Sequence, residues 1–117
     1  MPNENVIMYI EAALTGQNEG RMIFALRNLD CAKKALEEER AISHEEQLFF
    51  LYTRASIFES AGRDDLAIMA YSQCRGLCDK LSFNHPDRAL PFMGMGSVFY
   101  YSNEYVLALR AFLKVSF

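Results

Sequence analysis

The stretch that decides the fold is QLFFLYTRASIFESAGRDDLAIMAYSQCRGLCDKL, residues 47–81, in which a glycine separates two runs of apolar residues. Before Gly62, apolar side chains recur at Leu48, Leu51, Tyr52, Ala55 and Phe58. After it they recur at Leu66, Ala67, Ala70, Tyr71, Cys74, Leu77, Cys78 and Leu81. Intervals of three and four residues place such side chains on one face of an α-helix, whereas a half-buried strand would need strict alternation. The stretch therefore predicts a helix, a turn and a second helix.

The same arrangement occurs three times along the chain. Two small residues lie 12 positions apart in each copy, namely Ala13 and Ala25, Ala55 and Ala67, and Gly96 and Ala108. A turn-forming residue lies between them, namely Gly20, Gly62 and Asn103, and a large apolar residue follows the second small one, namely Leu29, Tyr71 and Phe112. The copies recur after 42 and 41 residues, so we expect three packed helix pairs.

Composition bounds the class of protein. The chain has 117 residues, of which 51% are hydrophobic, and 12 basic residues stand against 15 acidic ones for a net charge of −3. This hydrophobic fraction is too high for a disordered chain, and the absence of a basic excess argues against nucleic acid as a partner. We expect one all-α domain spanning residues 1–117, in three repeats near residues 4–40, 45–81 and 87–117.

Helix boundaries are marked by capping chemistry. Ser43 and Glu46 form a capping box before the third helix, and Asn84-His85-Pro86-Asp87 precedes the fifth, which we expect to bend or to start late because of Pro91. Asn18 is taken as the start of the second helix. The predicted helices are 4–16, 19–40, 45–61, 64–81, 87–101 and 104–116.

The recurring small, turn-forming and large apolar positions resemble the pattern of the tetratricopeptide repeat family. The best match is the series Phe92, Met95, Gly96, Phe99, Tyr105, Ala108 and Phe112. The usual period is 34 residues, and the longer period here, with its His-Pro-Asp linker, resembles the long-repeat subclass typified by kinesin light chains. The resemblance implies a right-handed superhelix, an α-solenoid of six antiparallel helices whose first helices line a concave groove for a partner protein or peptide.

The resemblance also implies where a partner segment would bind. Groove residues should lie on the first helix of a pair, at positions other than the recurring small and large apolar residues that pack the helices together. We expect them to be Phe49, Tyr52, Thr53, Ser56, Glu59, Met93, Ser97, Tyr100 and Tyr101. The alternative is that the apolar members pack between neighbouring repeats. One groove type of the family holds a C-terminal carboxylate with Lys and Asn, and the Tyr, Ser and Met found here argue against that ligand.

No enzyme signature accompanies the repeats. Cys74 and Cys78 share one helical face and could bind a metal with His85, but zinc needs four ligands, so we interpret them as small buried thiols. The carboxylates occur as surface runs and caps. We expect no catalytic residue, no cofactor and no metal.

The C-terminal end of the chain is unusually apolar. The chain ends in apolar residues without a polar closing helix, so we expect either the N-terminal part of a longer array or a homodimer formed through Phe112, Leu113 and Phe117. The main functional hypothesis is a scaffold or adaptor, and the alternative is a structural assembly part acting through self-association. No signal peptide or membrane span is visible, so we expect a cytoplasmic protein. By analogy with the family, its setting would be cytoskeletal or ciliary.

Overall fold

The computed structural model describes residues 4–38, 44–80 and 90–115. They form six α-helices and contain no strand, which confirms the prediction of an all-α chain with six helices. The helices are α1 Glu4–Asn18, α2 Met22–Glu37, α3 His44–Ser60, α4 Asp64–Lys80, α5 Leu90–Tyr101 and α6 Tyr105–Val115.

The helices pack in consecutive pairs. The closest partners are α1 with α2, α3 with α4, and α5 with α6, and the pairs are joined by contacts of α1 with α3, α2 with α3, α4 with α5 and α3 with α5. The body measures 39 × 34 × 18 Å. Its smallest dimension corresponds to two helix layers, because a helix with its side chains is about 10–12 Å across and neighbouring helices interdigitate.

The turn inside each pair has the same backbone conformation and the same pattern of hydrogen bonds. Gly20, Gly62 and Asn103 have φ of 74°, 74° and 64°, in the left-handed region. In the second turn the Gly62 N–H donates to the Glu59 carbonyl at 3.1 Å, and the Arg63 N–H donates to the Phe58 carbonyl at 2.8 Å. The other two turns have the same pair of bonds, which closes a helix in a Schellman motif. The turn residues predicted from the repeat are therefore confirmed.

The second helix of each pair begins directly after the turn. In the second pair the Arg63 carbonyl accepts from the Ala67 N–H at 2.9 Å, and in the first pair the Arg21 carbonyl accepts from the Ala25 N–H. The prediction that Asn18 begins α2 is therefore wrong: Asn18 ends α1, because the Schellman turn occupies the next three residues. Ser43 of the capping box and the linker at residues 84–87 lie outside the described residues.

The interior consists of two clusters that meet at α3. The first is built from α1, α2 and α3, and includes Ile10 and Leu29 together with Phe50 and Ile57. The second is built from α3 to α6 around Tyr71. Since α3 contributes to both clusters, it is buried on two sides and holds the first pair to the rest.

Small residues let large ones approach the helix backbone. A side chain at Gly94 would overlap the ring of Tyr71, and one at Gly96 would overlap the ring of Phe112. All six small residues identified from the repeat are buried. In the third pair, the small residue Gly96 of α5 therefore packs against the large residue Phe112 of α6.

Candidate functional site

Polar side chains connect the first helices of neighbouring pairs. The Gln17 amide of α1 donates to the hydroxyl of Ser60 at 2.8 Å and to that of Ser56 at 3.1 Å, both on α3. Glu59 of α3 accepts from the Ser97 hydroxyl of α5 at 2.9 Å. A row of polar contacts therefore runs from α1 across α3 to α5.

Glu59 is tied to a second helix as well. Its other carboxylate oxygen accepts from the Tyr71 hydroxyl of α4 at 2.8 Å. Burial and then this hydrogen bond raise the pKa of the Tyr71 phenol above its ordinary value. Tyr71 thus remains a donor at neutral pH, and the Glu59 carboxylate is fixed by helices on both sides.

Tyr52 adds an aromatic wall next to this carboxylate. Its ring meets the ring of Tyr71 edge to face, with the centroids 5.8 Å apart. Burial and the nearby charge of Glu59 raise the pKa of the Tyr52 phenol. The two phenols are therefore neutral at physiological pH and surround one negative charge.

The most exposed side chains of this surface lie on α5. Met93 is 48% exposed and Tyr100 is 53% exposed, and both share one face of the helix with Ser97. Tyr100 also contacts the rings of Tyr101 and Tyr105, with centroid distances of 5.4 and 5.7 Å. We call the surface formed by Gln17, Tyr52, Ser56, Glu59, Met93, Ser97 and Tyr100 the first-helix face.

The structure brings most of the predicted groove residues together and places two elsewhere. Thr53 is buried, so it has no surface to offer a ligand. Phe49 packs against the first core cluster, which is the alternative that the sequence left open for it. Tyr101 is exposed beside Tyr100 at the edge of the first-helix face.

Two members of the arrangement were missed from the sequence. Gln17 lies 42 residues before Glu59, so the repeat itself carried the signal that it shares the same face. From the sequence, Tyr71 is one of the large apolar residues that pack the helices together, yet its hydroxyl also contacts Glu59 of the first-helix face. The chemistry of tyrosine could have indicated this contact, because a buried tyrosine needs a hydrogen-bond partner for its hydroxyl.

A different surface is exposed on α6. Leu109, Phe112 and Leu113 are all accessible, and Tyr105 and Val106 extend the apolar area toward the start of the helix. Phe112 and Leu113 are two of the three residues predicted for self-association. The third, Phe117, lies outside the described residues.

A depression of about 340 Å³ lies between α2, α3 and α4. Arg54 borders it, with its guanidinium 5.1 Å from the ring centroid of Phe50 and hydrogen-bonded to the Gln73 amide oxygen. The charged group of Arg54 is therefore held by neighbouring side chains of the same fold.

In the described residues, the cysteine and acidic side chains form no group that could hold a metal ion. Cys74 and Cys78 are buried thiols, and Cys31 is exposed. Among residues 4–38, 44–80 and 90–115, no three side chains of His, Cys, Asp or Glu come together in a group that could hold a metal ion. His85, which the sequence analysis considered and rejected as a third metal ligand beside Cys74 and Cys78, lies outside these ranges. None of the six described helices has the length and apolar character needed to cross a bilayer.

Comparison of the chain with known protein families, with functionally characterised proteins and with solved structures gives no match.

Proposed function

We propose that this chain is a helical-repeat interaction module of the tetratricopeptide type, which holds a segment of a partner protein on the first-helix face. One observation carries the proposal: Met93 and Tyr100 are about half exposed on either side of Ser97, beside the fixed carboxylate of Glu59. Exposed aromatic and methionine side chains next to anchored polar groups are the composition of protein-binding hot spots.

The packing of the helices supports a curved stack. The first helices contact one another, α1 with α3 and α3 with α5, whereas no comparable contact joins α2 with α4 or α4 with α6 in the described residues. Helices that approach more closely lie on the inner side of a bend. The right-handed superhelix implied by the resemblance would place the first-helix face on the concave side.

The surface suggests what it would hold. Met93 and Tyr100 offer apolar contact to an anchoring side chain, and the hydroxyls of Ser56 and Ser97 offer hydrogen bonds to a backbone. The negative charge of Glu59 favours a segment with a basic residue near the anchor. This is scaffold or adaptor chemistry, without a catalytic step or cofactor.

Affinity capture from native lysate tests the proposal. The test variant is Met93→Glu with Tyr100→Ala, because both side chains are exposed and their replacement leaves the core intact. The matched control is Met69→Glu with Ile23→Ala, which makes the same kinds of change at exposed sites on α4 and α2. Loss of a partner with the test variant and its retention with the control support the proposal, and equal recovery with both contradicts it.

A second candidate function is that of a structural assembly part that associates through α6. The sequence predicts that this association is with further copies of the same chain. The observation that favours it is the exposure of Leu109, Phe112 and Leu113 together on one short helix. Leu109→Glu with Leu113→Glu would abolish such an assembly, measured by sedimentation, and would leave capture through the first-helix face unchanged. By the same resemblance, either role would suit a cytoplasmic protein of cytoskeletal or ciliary complexes.

A further inference from the structure

The second helices of the first two pairs leave a gap above α3. Both α2 and α4 pack on α3, but no comparable contact joins them to each other in the described residues. The depression of about 340 Å³ lies in this gap, and the described residues that line it all belong to α2, α3 or α4. It is therefore a feature of the middle of the stack, away from α6.

The depression lies on the opposite side of α3 from the first-helix face. Gln47, Leu51 and Arg54 line it, at intervals of three and four residues that share one side of a helix. Each residue advances about 100° around the helix axis, so Arg54 points about 160° away from Ser56 of the first-helix face. A ligand bound in the depression would therefore leave the first-helix face accessible.

The lining of the depression is apolar where it is buried and charged where it is exposed. Leu36 of α2 and Phe50 of α3 are buried. Lys33 and Glu37 are exposed, one turn apart on α2. Because these two charges offset each other, the net charge of the described lining is the single positive charge of Arg54.

The guanidinium of Arg54 is only partly satisfied. One of its terminal nitrogens donates to the neutral amide oxygen of Gln73, while its Nε is buried without a hydrogen-bond acceptor. It forms no ion pair with a carboxylate of the described residues. Burial lowers the pKa of Arg54, because the charged form has lost hydration and gained no opposite charge in return. An anion that reached this group would stabilise it.

We propose that the depression binds an acidic side chain of a partner protein that has an apolar residue beside it. The carboxylate would accept hydrogen bonds from Arg54, whose planar donors match two carboxylate oxygens. The apolar neighbour would lie against Leu36 and Phe50. The depression has the volume of about ten water molecules and is open on one side, so it suits side chains better than an enclosed small molecule. This site is separate from both proposed functions and does not depend on them.

The charges of the lining favour an acid over other occupants. Glu37 borders the depression without pairing with Arg54, and its nearest charge along α2 is that of Lys33. A basic group would be repelled by Arg54 and Lys33, and a purely apolar segment would bury the guanidinium further without compensation. Phosphate groups are recognised by clusters of arginines, whereas one arginine lines this depression in the described residues.

The probe for this site is a capped pentapeptide, acetyl-Ser-Leu-Glu-Leu-Ser-amide, and its control has glutamine in place of glutamate. The caps remove the terminal charges, so the two peptides differ by one carboxylate. Binding to the full chain is followed by NMR of isotopically labelled arginine Nε–H groups. We expect the Arg54 signal to shift with the glutamate peptide, which should bind ~10-fold more tightly than the glutamine peptide because its hydrogen bonds are charge-assisted.

Variants of the chain test the role of each charge. Arg54→Met keeps an unbranched stem over Phe50 and removes the charge, so the glutamate peptide should bind no better than the glutamine peptide. The control Arg27→Met makes the same change at an exposed site on α2 and should leave the affinity unchanged. Glu37→Gln removes a repelling carboxylate at the exposed rim and should increase the affinity for the glutamate peptide by about 2–3-fold without touching the core.

Equal affinity for the two peptides, or no binding at about 5 mM, would overturn the inference. So would a dimer in sedimentation that Arg54→Met converts to monomer, because a second copy would then supply the acid. A change of the Arg54 signal in the unliganded chain on Glu39→Gln, outside the described residues, would mean that the chain supplies its own carboxylate. The groove variant Met93→Glu with Tyr100→Ala should bind the glutamate peptide normally, so failure of this site and failure of the first-helix face are separately visible.

Discussion

The hydroxyl of Tyr71 donates a hydrogen bond of 2.8 Å to the carboxylate of Glu59, and this contact joins the interior of the stack to its candidate binding surface. Tyr71 is 2% exposed, and its ring fills the space above Gly94. Because Ser97 holds the other carboxylate oxygen, Glu59 links three helices. The charge on the first-helix face is therefore positioned by the same residue that packs α4 on α5.

Replacing Glu59 should destabilise the fold. Glu59→Ala leaves the buried Tyr71 hydroxyl without its acceptor, which should lower the free energy of unfolding by about 1–3 kcal/mol. The measurement is urea denaturation, with Glu11→Ala on the exposed side of α1 as the control, for which we expect a change within about 0.5 kcal/mol. If the Tyr71→Phe and Glu59→Ala effects add without coupling in a double-mutant cycle, the hydrogen bond does not contribute as described.

Stability should decline at alkaline pH. The pKa of Tyr71 is raised in the folded chain, while the unfolded phenol titrates at about 10. Above about pH 10 the unfolded state therefore binds fewer protons than the folded state, so the free energy of unfolding falls as the pH rises, and below that pH this group adds no pH dependence. At pH 11 the loss from one such group is at most about 1.4 kcal/mol relative to pH 8. Tyr71→Phe should reduce the loss, and an unchanged difference between the two pH values would contradict the assignment.

Two glycines should respond to alanine in opposite directions. A methyl group at Gly94 would meet the Tyr71 ring, so Gly94→Ala should destabilise the chain by about 1–3 kcal/mol. Gly76 lies inside α4 with open space around its Cα, so Gly76→Ala should stabilise it by about 0.5–1 kcal/mol through helix propensity. Thermal unfolding of the two variants provides the comparison. A neutral or stabilising effect of Gly94→Ala would contradict the close approach of α4 and α5.

The equivalence of the turns can be tested by exchanging their residues. Gly62 has φ of 74°, where a Cβ atom is disfavoured, so Gly62→Ala should cost about 1–2 kcal/mol. Asn103 occupies the same conformation in the third turn, and Asn103→Gly should stabilise the chain by about 0.5 kcal/mol. Chemical denaturation of both variants checks the prediction, which fails if Asn103→Gly is as destabilising as Gly62→Ala.

The fold was predictable because the repeat couples local and tertiary information. A turn residue that recurs every 41–42 residues between two small residues fixes where the helices end and which faces pack, and Gly20, Gly62 and Asn103 all have the predicted role. The start of α2 was misplaced because Asn18 is a good N-cap by type, while the Schellman bonds at Gly16 and Gln17 hold it in α1. Capping preference is thus overridden by the geometry of the turn.

The candidate site was less predictable, because its residues depend on contacts across pairs. Thr53 was assigned to the groove by its position on a first helix, yet it faces the preceding pair and is buried. The hydrogen bonds of Glu59 with Tyr71 and Ser97 join residues 12 and 38 positions apart, and no local pattern encodes them. The sequence alone predicts which residues share one face of a helix. The packing between helix pairs then decides which of those residues are accessible.

The central claim, that a partner segment binds along the first-helix face, is tested most directly by methyl NMR of the chain with isotopically labelled methionines. Met93 lies on that face, whereas Met69 on α4 and Met8 on the outer side of α1 are similarly exposed elsewhere. When a partner segment obtained by capture is added, we predict that the Met93 signal shifts or broadens while those of Met69 and Met8 do not. A shift at Met69 or Met8 with an unchanged Met93 signal would contradict the account.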